Sequence, residues 1–173
     1  NIDWKASVLP HAVVIVVFIA LSYIYLLPLL QGQVMAQHDY TQAMGQQHEV
    51  TEYVDKTGDQ ALWTNSMFSG MPTILIWLEY PTNLIGMAYS AIRDLFLNET
   101  SLLFFLLLGV YIMLYQLTKD IWVSVIGALG FTFASFNIVS IEAGHLNKVA
   151  AMAFMAPIIG GIILAYRGNW QVG

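Results

Sequence analysis

The chain contains no cysteine, which excludes disulfides, thiolate nucleophiles and cysteine-held metals outright. It is also short of charge: 10% of its residues are charged, against about 25% in a soluble domain. Its 6 lysines and arginines face 11 acids, for a net charge of −5. Nothing here would displace counterions from phosphates, so a nucleic-acid partner is disfavoured. The chain begins without a methionine and stops just after an apolar run, and it reads as a piece of something longer. What it has in abundance is apolar surface: 58% hydrophobic residues and a mean hydropathy of +0.65. Burying several uncharged runs inside a soluble domain of this size would leave too little polar surface. The composition is that of an integral membrane protein.

The expected fold class is an all-α membrane protein of four transmembrane helices, at about 6–30, 100–117, 121–141 and 149–166, forming one domain over 1–173. Each run is long enough to cross roughly 30 Å of hydrocarbon as helix. The first is interrupted only by His11, and it is too long for a signal-peptide core, so it reads as a retained helix. Thr118-Lys119-Asp120 is a tight connection that forces its two spans antiparallel. Gly127, Gly130, Ala134, Gly160 and Gly161 offer flat surfaces for helix packing. Lys5, Lys119 and Arg167 fall on one side and Lys148 on the other, so the positive-inside tendency makes the first side cytoplasmic.

The loop at 31–99 and the turn from Glu142 to Lys148 then share the outer face. Such a loop is too long and too patterned for a connector. His48 to Ala61 reads as a short helix and a turn, the latter at Lys56-Thr57-Gly58-Asp59. Thr73 to Ile92 carries Glu79, Pro81 and Asn83 near its middle, which a spanning helix would bury or break at. It is expected to lie in the interface as amphipathic helices, with Trp77 and Tyr80 at headgroup level.

Three constellations suit chemistry. Asp39, flanked by His38 and Tyr40, stands soon after the first span. There a carboxylate can accept a proton from a hydroxyl, or bind a divalent cation such as Mg²⁺ or Mn²⁺ with water and a phosphate. The competing reading is a solvated loop acid. Glu142, His145 and Lys148 crowd the turn before the last span beside Gly144. They suit a phosphate clamp with the first N–H groups of the following helix, or a plain polar turn with Lys148 snorkelling. Trp63, Asn65 and Ser66 suit a sugar lining, an aromatic plane beside amide and hydroxyl groups, or packing of the loop onto the helices.

At His38-Asp39-Tyr40, Leu62 to Thr73, Tyr80-Pro81-Thr82-Asn83 and Gly144-His145-Leu146-Asn147-Lys148, the chain resembles the amino-terminal part of YfhO-like bacterial membrane proteins. These are similar to the glycosyltransferase C superfamily. The resemblance implies an enzyme of the bacterial cytoplasmic membrane that takes a sugar from a polyprenyl-phosphate donor on the outer face. The acceptor would be a cell-envelope glycopolymer or lipid, and membrane lipids would surround the spans. It further implies that Asp39 is the catalytic acid of the first outer loop, acting as base or metal ligand. The rivals are a lipid-linked sugar transporter or flippase, and an assembly subunit whose loop only docks a partner.

Overall fold

The computed structural model describes residues 8–75, 83–93 and 98–168. They are mostly helical: α1 (Leu9–Tyr25), α2 (Leu27–Leu30), α3 (His38–Thr57), α4 (Leu84–Arg93), α5 (Asn98–Thr118), α6 (Ile121–Thr132), α7 (Ser135–Ala143) and α8 (Leu146–Tyr166). A short antiparallel ladder joins β1 (Trp63–Thr64) to β2 (Met71–Pro72). Trp77, Glu79, Tyr80 and Pro81, on which the expectation of an interfacial segment rested, lie outside the described residues.

Two helices are long and apolar enough to cross a membrane, at Glu99–Thr118 and Leu146–Tyr166. A third candidate is α6 with α7, but this pair is bent by 48° rather than forming the continuous span expected over 121–141. The amide of Asn137 caps the break, donating to the Phe131 carbonyl at 2.6 Å. That carbonyl also accepts the Ala134 N–H at 3.2 Å, so the side chain adds a second, shorter bond across the bend. The first apolar helix, α1, has 17 residues, shorter than the expected span.

The core is the parallel pair α5 and α8. Gly109 permits it: a Cβ there would run into the Ala153 carbonyl oxygen. That oxygen is the acceptor which Pro157, lacking an N–H, leaves without its helical donor. Gly160 does the same a little further along, facing Gln116 and Met113. Small residues at such crossings let backbones approach where apolar burial gives no gain over lipid. On the other side of α5, Lys119 in the left-handed region (φ 59) and the Asp120 cap on Val123 N–H (3.0 Å) reverse the chain. Gly127 of α6 then sits against Leu114 of α5. Gly130, by contrast, faces open space.

Antiparallel to α5, α1 places Phe18 edge-on to Tyr111 at 5.7 Å. Its one polar ring, His11, meets the Tyr111 hydroxyl at 2.5 Å. These pairings bring the end of α1, the start of α5, the end of α7 and the start of α8 to one end of the bundle. The candidate site is built there.

Candidate functional site

Asp39 lies in the first turn of a 20-residue helix rather than in a loop. Few local signals announce this start, because Gln37 at the N-cap makes no side-chain cap. Its amide reaches instead across the bundle end, and Nε2 donates to the Ile141 carbonyl at 2.8 Å in a buried bond. The helix closes where a turn was expected, on Gly58 at φ 72. An acid in the first turn also faces the positive end of the helix dipole.

The other half of the site comes from the α7–α8 turn. Gly144 adopts φ 94 and ends α7, while the His145 N–H donates back to Ser140 at 2.9 Å. The missing side chain matters twice here. A Cβ on Gly144 would stand 2.9 Å from Tyr40 N and 3.1 Å from the Gln37 Cβ. Glycine therefore lets the turn nest against the start of α3, and that brings His145 Nε2 to 3.2 Å from Asp39 Oδ2. Both side chains are about half exposed, 47% and 46%.

Beside this pair opens a cleft of about 380 Å³. Its walls are Tyr40 and Gln47 of α3, Tyr89 and Arg93 of α4, and Gly144 and Asn147 of the turn, over a floor of Leu102 and Leu146. Asp39 and His145 do not line it, but each adjoins lining residues in the chain, Tyr40 for Asp39 and Gly144 and Leu146 for His145. Tyr40 and Gln47 lie about 10 Å apart along α3 at 1.5 Å per residue, and both face the first turns of α5 and α8. This lays α3 across the end of the bundle. Opposite it, α4 is capped by Asn83, whose Oδ1 accepts the Gly86 N–H at 2.9 Å. Tyr89 anchors α4 against Phe105 and Phe154, at 5.7 and 5.5 Å.

The remaining candidates stand elsewhere. His38 is exposed and pairs along its own helix with Gln42 at 3.1 Å. Lys148 turns away from the cleft and places Nζ 4.5 Å over the Phe136 ring. Glu142 lines a separate small cavity with Tyr25 and Met35. The cation that lines the cleft is Arg93, which was not among the candidates expected from the sequence.

Trp63, Asn65 and Ser66 form a second cluster about 15 Å further along α3, around Glu49. Its Oε2 accepts hydrogen bonds from Thr64 Oγ1 (2.6 Å), Asn65 N–H (2.9 Å) and Ser66 Oγ (2.6 Å). These donors hold the Glu49 carboxyl down at about 2, the Ser66 hydroxyl contributing most. Trp63 lies over Gly70, where a Cβ would meet its Nε1 at 2.7 Å. None of the three lines the cleft. Glu49 was missed because a lone acid on a polar helix carries no signal until its donors fold back onto it.

A divalent cation asks for six or more oxygen ligands, some of them supplied by water. Among the described residues no third His, Asp or Glu joins Asp39 and His145 in a group able to hold one. No protein-family model matches the chain, and no curated protein or solved structure shows significant similarity to it.

Proposed function

We propose that the chain is part of a glycosyltransferase of the bacterial cytoplasmic membrane, moving a sugar from a polyprenyl-phosphate donor to a cell-envelope acceptor on the outer face. In this reading α1 with α2 and the bent α6–α7 pair complete four spans. The observation that carries it is the Asp39–His145 pair beside a cleft at the bundle end. Two residues remote in sequence meet there, half exposed, where a lipid-borne headgroup would arrive.

Transfer would proceed by one in-line displacement. The acceptor hydroxyl gives its proton to the Asp39 carboxylate while its oxygen forms a bond to the anomeric carbon. The bond from that carbon to the phosphate oxygen breaks, and its electron pair leaves on the polyprenyl phosphate. Arg93, on the opposite wall, pairs with the donor phosphate from binding through departure. His145 orients the carboxylate and keeps one of its oxygens directed to the acceptor.

The test is Asp39→Asn in the full-length protein in lipid, with turnover and donor affinity measured separately. Turnover should fall about 100-fold or more, on the usual scale for a positioned base, with donor affinity little changed. Wild-type turnover would remove Asp39 as the base and favour headgroup transport or docking.

A further inference from the structure

Between Gln60 and Leu75 the chain carries no charged residue, and the hairpin folded from this stretch has two unlike faces. Thr64 turns inward, fully buried, to Glu49. Trp63 and its cross-strand partner Pro72 are exposed on the other face. Around them Leu62, Phe68 and Ile74 are 74%, 83% and 60% exposed. At the tip, Phe68 and Ser69 occupy the left-handed region in succession (φ 49 and 62), closed by the Gly70 N–H to the Met67 carbonyl at 2.7 Å. The bonds to Glu49 clip this hairpin to α3, so these exposed apolar residues are carried on one short, held segment.

The bundle end to which α3 and α4 belong indicates what covers it. The next described helix, α4, packs Tyr89 onto Phe105 and Phe154. Those rings lie about 10–12 Å along α5 and α8 from their first residues at 1.5 Å per residue. On its other side α4 leaves Leu84 and Met87 75% and 59% exposed. So α4 sits at bilayer depth, its apolar side continuing the lipid-facing surface of α8. The hairpin hangs from α3, which crosses the same bundle end within one helical turn of the cleft residue Gln47. An uncharged surface tipped with phenylalanine and tryptophan matches the headgroup boundary, where amphipathic rings are favoured. It offers a protein partner no charge to pair with.

We propose that the Trp63–Pro72 hairpin is a membrane-interface anchor. Phe68, Leu62 and the Trp63 face enter the headgroup and upper acyl region of the bilayer that holds the spans, and they fix the middle of α3 beside the cleft. The anchor stands independently of the reaction assigned to that cleft.

Because the chain lacks cysteine, single nitroxide labels at Phe68→Cys, Leu62→Cys and, as a control on α3, Asp55→Cys test this directly in lipid nanodiscs. Oxygen, which partitions into lipid, should relax the labels at 68 and 62 several-fold more than an aqueous nickel chelate does. The label at 55 should show the reverse. Positions 68 and 62 are read separately, so a fold lost at one leaves the other decisive. Labels at 68 and 62 that behave like the one at 55 overturn the proposal. So does dipolar broadening that grows with the number of chains per disc, which would assign the surface to a second copy.

Discussion

Helix α3 carries two carboxylates that the chain treats in opposite ways. Glu49 accepts three close hydrogen bonds from β1 and the residues after it, and its carboxyl is held at about 2. Asp39, about 15 Å away along the same helix, has the His145 ring on one oxygen and stands half exposed. A carboxylate whose one oxygen holds three close donors is a weak base for a substrate proton and serves to hold structure. One with a single oriented partner keeps its remaining acceptor sites open. The comparison gives Glu49 a fastening role and leaves Asp39 the acid open to the proposed role of base.

The sharpest way to break the comparison is to neutralise each acid in turn. Asp39→Asn should lower turnover by about 100-fold or more, while Glu49→Gln should leave it within a few-fold, both read in one transfer assay. Equal losses would mean that both acids act through structure. The two cations near the site extend the contrast: Arg93→Ala should raise KM about tenfold, on the scale of one lost charge-assisted bond of about 1.5–3 kcal/mol. Lys148→Ala, whose ammonium faces Phe136, should change KM much less.

Smaller in effect is Gly144→Ala. It forces a side chain into φ 94 against Tyr40 and Gln37 and should cost about 1–2 kcal/mol of stability, seen as a lower midpoint in thermal unfolding. Turnover should drop with it as His145 leaves Asp39. The smallest effect is the pH response of the Glu49 clip. Its folded value, about 2, lies below the ordinary 4.5, so Glu49 takes up a proton more readily once the hairpin is released. The clip's contribution is therefore whole above about 4.5 and is lost as pH falls through about 2. Limited proteolysis should find the hairpin protected near pH 5 and cleaved near pH 2, and Glu49→Gln should abolish that dependence.

The apolar helices were legible because uncharged runs such as Leu102 to Leu117 admit few other placements. The 48° bend between α6 and α7 was not. No proline marks it, and the group that stabilises it is the Asn137 side chain bonding six residues back. The start of α3 was hidden for a related reason: Gln37 spends its amide on Ile141 instead of on the helix it begins. Asp39 and His145 were each legible as candidates from residue type and from their shared end of the bundle. Their contact depends on the nesting of Gly144 against Tyr40, which is a property of the assembled fold. Arg93 was passed over because its helix had to pack through Tyr89 before the guanidinium had a cleft to line. Lys148 was credited with the opposite geometry because sequence position gives its turn but not its rotamer.

The proline-freed carbonyl of Ala153, pressed against Gly109, bears on how the cleft can open. At that crossing α5 and α8 have no side chain to compress, so they behave as one welded beam rather than as two leaves that spread. Leu102 and Leu146 ride on this beam and form a floor that cannot gape. Traffic into the cleft must then be governed from the roof, where α3 is pinned at one end by the Gln37–Ile141 bond and carries the hairpin at its middle. The glycine turn that sets His145 against Asp39 lies at the pinned end, so the position of α3 and the pairing of the two side chains are set at one place.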